Sequence, residues 1–224
     1  MSDCPNLMNR LAIFDCDGTL VDSQANICVA MEECFGEAGL PAPDRAAVRR
    51  IVGLSLPQAM QVLAPGHDHD LLAEAYKRAF HRMRAEGRVE EQLYEGIPEV
   101  LAALEAEGWL LGVATGKSDR GLRLVLEHHG LAHHFVTLQT ADRHPSKPHP
   151  SMIEQCMADA GAQPATTVMI GDTSFDILMA HNAGVRAIGV AWGYHEADEL
   201  LREGADAVAS HPSDLPALCT LETA

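Results

Sequence analysis

The chain has 224 residues, with 16 Lys and Arg against 32 Asp and Glu, a formal charge of −16. Gripping nucleic-acid phosphates or an anionic membrane needs basic surface, so that balance excludes both as its main business. The length fits one large domain, or a domain of about 150 residues carrying an insertion, and 47% hydrophobic residues suffice for a core, an aliphatic one given two Trp, three Tyr and five Phe.

Met1 to Arg10 is polar and mixed, without the apolar stretch of a signal peptide. Nothing in the chain approaches the roughly 18 apolar residues of a membrane span. Leu11-Ala12-Ile13-Phe14 reads as a strand apolar on both faces, and the polar segment Asp15-Cys16-Asp17-Gly18-Thr19-Leu20-Val21-Asp22 follows it. No second β-type run appears until about Leu110. The texture between is helical, with one stripe at Ile27, Met31, Cys34 and Phe35 and another at Leu72, Tyr76, Ala79, Phe80 and Met83. This predicts a helical insertion over residues 23–92, with residues 1–22 and 93–224 forming one core.

Ile97, Val100, Leu101 and Leu104 predict a helix with Pro98 in its first turn and Gly108 as a stop. A strand at Leu110–Ala114 leads into Thr115-Gly116-Lys117. Leu122, Val125 and Leu126 follow a Ser118 N-cap and end at Gly130. A strand at Phe135–Leu138 precedes Pro145-Ser146-Lys147-Pro148. Met152, Ile153, Cys156 and Met157 run helically to Gly161. Strands at Thr167–Ile170 and Arg186–Val190 flank Gly171-Asp172-Thr173-Ser174-Phe175-Asp176. Strand–helix alternation of this kind predicts βαβ units, hence an α/β fold on a parallel sheet.

In an open parallel sheet, ligands bind beyond the carboxyl ends of the strands. Carboxylates, a Thr and a Lys recur there, a set suited to magnesium-assisted phosphoryl transfer. Hard Mg²⁺ prefers carboxylate oxygens, and Asp15 and Asp172 stand at neighbouring strand ends. Asp17, just past the strand, can aim its carboxyl at a leaving group. Lys147 neutralises the moving phosphoryl, and Thr115 with Gly116 and Lys117 beside it binds phosphate oxygens and substrate. One acid serves as nucleophile, the other as general acid and then base.

Asp-x-Asp-Gly-Thr-Leu after a strand, a Thr ending the next, a lone Lys and then Gly-Asp-x-x-x-Asp resemble the haloacid dehalogenase superfamily, in order and spacing, over essentially the whole chain. The insertion resembles the α-helical cap of its phosphoglycolate-phosphatase-like and β-phosphoglucomutase-like branch. The resemblance implies a Rossmann-like core with helices on both faces. It also implies Asp15 as a nucleophile forming an aspartyl-phosphate, and Asp17 as acid/base. Mg²⁺ would be held by Asp15, the backbone carbonyl of Asp17 and Asp172, with Asp176 supporting or sharing that role. Dehalogenases and phosphonate-cleaving relatives lack an acid at the position of Asp17, so the resemblance points to phosphate ester or anhydride chemistry. Sugar-phosphate mutases usually carry Glu-Asp where this chain has Gly171-Asp172, which favours a phosphatase over a mutase; an inorganic pyrophosphatase is a further alternative. Many relatives have Asn where this chain has Gly116.

Other features read more simply. Gly116-Lys117-Ser118 lacks the earlier Gly of a phosphate-binding P-loop, since position 111 is Leu111. His67-Asp68-His69-Asp70 and the pairs His128-His129 and His133-His134 read as solvated loop residues rather than a zinc site. Cys4, Cys16, Cys28, Cys34, Cys156 and Cys219 contain no Cys-x-x-Cys, which suits reduced thiols in a cytoplasmic protein. Cys16 reads as packing. Arg49 and Arg50 are positioned either to meet a second anionic group of the substrate or to stand as solvated helix charges. The expected enzyme is a Mg²⁺-dependent phosphatase, monomer or homodimer, acting on a small phosphorylated metabolite.

Overall fold

Alternate residues of the first strand face opposite ways, and both ways are apolar. In β1 (Asn9–Phe14), Leu11 and Ile13 join one buried cluster while Ala12 and Phe14 join another. Such a strand is stable only between two layers of helices. The computed structural model, which describes residues 8–220, places it there.

Around β1 lie β4 (Trp109–Thr115), β5 (Phe135–Thr140), β6 (Ala162–Gly171), β7 (Arg186–Val190) and β8 (Ala207–Ala209), all parallel, in the order β5-β4-β1-β6-β7-β8. One face packs α5 (Ile97–Ala106) and α6 (Asp119–His128) through Leu101, Leu104, Leu122 and Leu126. The other packs α7 (Ser151–Ala160) and α8 (Ser174–Ala183) through Met152, Ile153, Ile177 and Ala180. The chain order reverses across β1, from which β4 lies to one side and β6 to the other. A crevice opens beyond the strand ends at such a point. The core is an α/β Rossmann-like fold.

Local signals place the helix ends. Ser118 Oγ accepts the Gly121 N–H at 3.1 Å, capping α6, and Gly161 closes α7 at a φ of 63°. Among the strands, two features escaped the sequence reading because they are too short to carry a pattern. One is β8. The other is a pair of two-residue strands, β2 (Val21–Asp22) and β3 (Gln92–Leu93), which pair antiparallel. They correct the expectation of no β-type run before Leu110, and they strap together the chain's exit from the core and its return.

Between them run α1 (Gln24–Glu37), α2 (Arg45–Ile51), α3 (Leu56–Leu63) and α4 (His69–Ala85). Ile27, Met31, Cys34 and Phe35 of α1 meet Leu72, Tyr76 and Met83 of α4 in an apolar cluster separate from the sheet's two. Phe80 lies on the same side of α4 but stays half-buried, facing a cleft instead of a helix. Cys16, Cys28, Cys34, Cys156 and Cys219 are buried in packing; Cys4 lies outside the described residues. Among the described residues, no helix is long and apolar enough to cross a membrane.

Candidate active site

Asp15 is the first residue past β1, and its N–H still donates to Ile170 O at 2.9 Å as if the ladder continued. Register therefore sets Asp15 beside the ends of β4 and β6. Thr115 ends β4, and Asp172 is the first residue after β6. Asp15, Asp172 and Asp176 are buried, and each can offer a carboxylate oxygen within 4.8 Å of the others'. Among the described residues this is the one group of three or more His, Cys, Asp or Glu side chains that converges so, and no histidine cluster does.

Lys147, also fully buried, lies 3.0 Å from Asp15 Oδ1 and donates to Asp176 Oδ1 at 2.7 Å. Burial opposes its charge, but Asp15 and Asp176 outweigh that and raise its pKa. Asp15 Oδ1 also accepts the Cys16 N–H at 2.7 Å, whereas its Oδ2 is buried with no partner. Desolvation, opposed by Lys147 and reinforced by Asp176 and Asp17, raises the Asp15 carboxyl to about 7. Asp172 is raised well above the carboxylate range by burial and by Asp176 and Asp15. One ammonium does not balance this many carboxylates. An all-oxygen donor set with excess negative charge fits a hard divalent cation such as Mg²⁺.

The remaining residues hold these in place. Asp172 Oδ1 accepts Thr19 Oγ1 and its Oδ2 accepts the Tyr194 N–H, both at 2.9 Å. Asp176 closes a capping box with Thr173 at the start of α8, so it is at once a helix-capping acid and a partner of Lys147. Thr115 is buried, and its Oγ1 accepts the Lys117 N–H at 3.2 Å.

Asp17 sits just before the turn that opens at Gly18. Its Oδ1 accepts from Ser23 Oγ and from Lys117 Nζ, the latter at 2.7 Å. Lys117 also lies 3.0 Å from Glu91 Oε1, and Arg84 donates to Glu91 Oε2 at 2.5 Å. Burial pulls the Lys117 pKa down, but Asp17 and Glu91 hold it well above its ordinary value. Lys117 thus sits beside the acid/base candidate rather than among the phosphate-binding groups. Glu91, Ser23, Thr19 and Tyr194 escaped the sequence reading. Thr19 stood inside a quoted motif, but nothing in the spacing of the other three marks them.

Arg49 and Arg50 reach neither the carboxylates nor the cleft. Arg49 donates to the backbone carbonyls of Tyr194 and Gly193 at 3.0 and 3.1 Å. Arg50 makes a two-pronged ion pair with Glu199 at 2.6 and 2.7 Å. Both join the helical insertion to the core, as does the Ser55 N–H donating to Ser146 Oγ at 2.8 Å. Gly116 lines the cleft close against the insertion: a Cβ there would lie 2.5 Å from Gly53 O.

A parallel sheet with carboxylates and a buried lysine at its carboxyl edge, covered by a helical insertion, is the layout of a Rossmann-like α/β enzyme with an acidic site. Residues 12–190 match the model of the haloacid dehalogenase-like hydrolases, and the chain belongs to that family. It is 40% identical over 198 residues to a probable phosphatase, IndB, of Dickeya dadantii (strain 3937), covering 86% of each chain. Against a phosphoglycolate phosphatase of Vibrio vulnificus (strain YJ016) it is 30% identical over 215 residues, covering 92% of this chain and 94% of that one. A solved haloacid dehalogenase-like hydrolase from Streptococcus pneumoniae superposes with a TM-score of 0.83 at 27% identity, over 95% of this chain and 99% of that one. The enzyme is of the phosphatase kind.

Proposed function

We propose that the protein is a cytoplasmic, Mg²⁺-dependent phosphatase that hydrolyses a small phosphorylated metabolite through an aspartyl-phosphate on Asp15. The observation that carries this reading is the unpartnered, buried Asp15 Oδ2, next to a buried lysine and two more carboxylates. An unsatisfied buried oxygen is costly, and an incoming phosphorus makes good use of it.

Asp15 Oδ2 attacks phosphorus while Lys147, held between Asp15 and Asp176, offsets charge on the phosphoryl oxygens. The Thr115 hydroxyl and the backbone N–H groups after β4 bind those oxygens. Asp17 presents a carboxyl whose Oδ1 is fixed by Ser23 and Lys117, leaving Oδ2 to give its proton to the departing alkoxide. Asp17 then takes a proton from the water that cleaves the acyl phosphate. Asp15 and Asp172, with Asp176 in support, would hold Mg²⁺, which supplies Lewis-acid charge to the phosphoryl group. Residues 23–92 act as a cap that excludes bulk water and contacts the leaving group.

Asp15→Asn should abolish Mg²⁺-dependent release of phosphate from p-nitrophenyl phosphate and leave the circular-dichroism spectrum unchanged. Retained turnover in that variant sinks the reading.

A further inference from the structure

A cleft of about 130 Å³ lies between the inserted helices and the start of α6, with Asp17 and Lys117 in its wall. It stands where an alcohol leaving from phosphorus would be received by Asp17. Much of its wall is apolar: Ile27, Met31, Leu54, Tyr76, Phe80 and Leu124.

Most of the charged groups around it already have partners. Lys117 is paired with Asp17 and Glu91, Arg84 with Glu91, and Lys77 with Glu74 at 2.8 Å. Arg120, exposed, is the one Lys or Arg of the wall with no ion pair among the described residues. Arg49 and Arg50, which a second anionic group would have needed, are engaged with the core. A carboxylate placed in this cleft would lose water and find no unpaired cation in the interior. A polyol fares little better. Ser118 Oγ already caps α6, which leaves the Tyr76 hydroxyl as the main side-chain hydroxyl of the wall. Size points the same way, since an apolar cavity of about 150 Å³ holds one benzene ring.

Building on the phosphatase reading above, we propose that the substrate is the phosphate monoester of an apolar, ring-sized alcohol, aryl-methyl or cyclic alkyl, in place of a short hydroxy acid or a sugar. The ester P–O bond breaks as Asp15 bonds to phosphorus. The proton of Asp17 passes to the leaving oxygen, and a neutral alcohol remains in an apolar cleft.

The test compares kcat/KM for benzyl phosphate, phosphoglycolate, glucose 6-phosphate and AMP, with acetyl phosphate as a donor whose leaving group is too small to use the cleft. Benzyl phosphate should exceed phosphoglycolate and glucose 6-phosphate by about 100-fold or more, the scale a hydrophobic pocket discriminates. Phe80→Ala and, independently, Leu124→Ala should each shrink that ratio by about tenfold. Equal or better turnover of phosphoglycolate, glucose 6-phosphate or AMP, with acetyl phosphate hydrolysed, overturns the leaving-group assignment and leaves the phosphatase reading standing. Failure on every donor, acetyl phosphate included, overturns both.

Discussion

Gly18 has a φ of 83°, and a Cβ there would lie 2.1 Å from Asp172 Oδ2. Only glycine lets the turn after β1 pass so close to the second carboxylate, so this residue is part of how the two acids meet. Gly116 has a different task. Its Cβ would fall 2.5 Å from Gly53 O and 2.7 Å from Leu54 O, both backbone atoms that yield only if the loop moves. Any larger side chain at this position has no room against a loop placed as it is here. We expect Gly116→Ala to push residues 53–54 away and weaken closure, lowering kcat/KM by roughly tenfold while urea stability changes by less than about 1 kcal/mol. Steady-state kinetics beside a urea titration checks this; unchanged kcat/KM would mean that the loop adjusts freely.

At the scale of elements, α2 joins insertion and core with its last turn. Arginines at a helix C-terminus sit well with the helix dipole, and there Arg49 and Arg50 reach two different partners across the gap. The hydrogen bond from Arg50 holds Glu199 below the ordinary carboxylate range against the push of burial, with His195 and Arg202 acting in the same direction as Arg50. Because the folded pKa is the lower one, the contribution is whole above the unfolded value of about 4.3 and fades as pH falls through the folded one. Arg50 is half-exposed, which limits the pair to under about 1 kcal/mol. The Tm gap between wild type and Glu199→Gln should therefore be about 2–4 °C or less at neutral pH and should close toward about pH 3. A gap that widens on acidification contradicts this account.

For the whole molecule, the charge of −16 matters most where it is concentrated, in three buried carboxylates of which two pair with one buried ammonium. A bound divalent cation relieves that repulsion in the folded state alone, so Mg²⁺ at about 100 times its Kd should add about 2.7 kcal/mol and raise Tm by several degrees, reversibly with EDTA. A Tm indifferent to Mg²⁺ argues against metal at Asp15, Asp172 and Asp176. Five of the six sheet strands were legible from the chain alone as short apolar runs, and the stripes of α1, α5 and α7 because burial on a helix face has a period, which Ile27, Val100 and Met152 obey. The acids were legible because parallel strands end on one edge, so motifs far apart in sequence share one place. What the sequence could not carry is any contact without a period. The Glu91–Lys117–Asp17 chain, the partners of Arg49 and Arg50, and the apolar wall facing Asp17 depend on how the insertion lies on the core. Local patterns determined the fold class and the acid set; the packing of one unit against another, which has no one-dimensional signature, decided which side chains surround the leaving group.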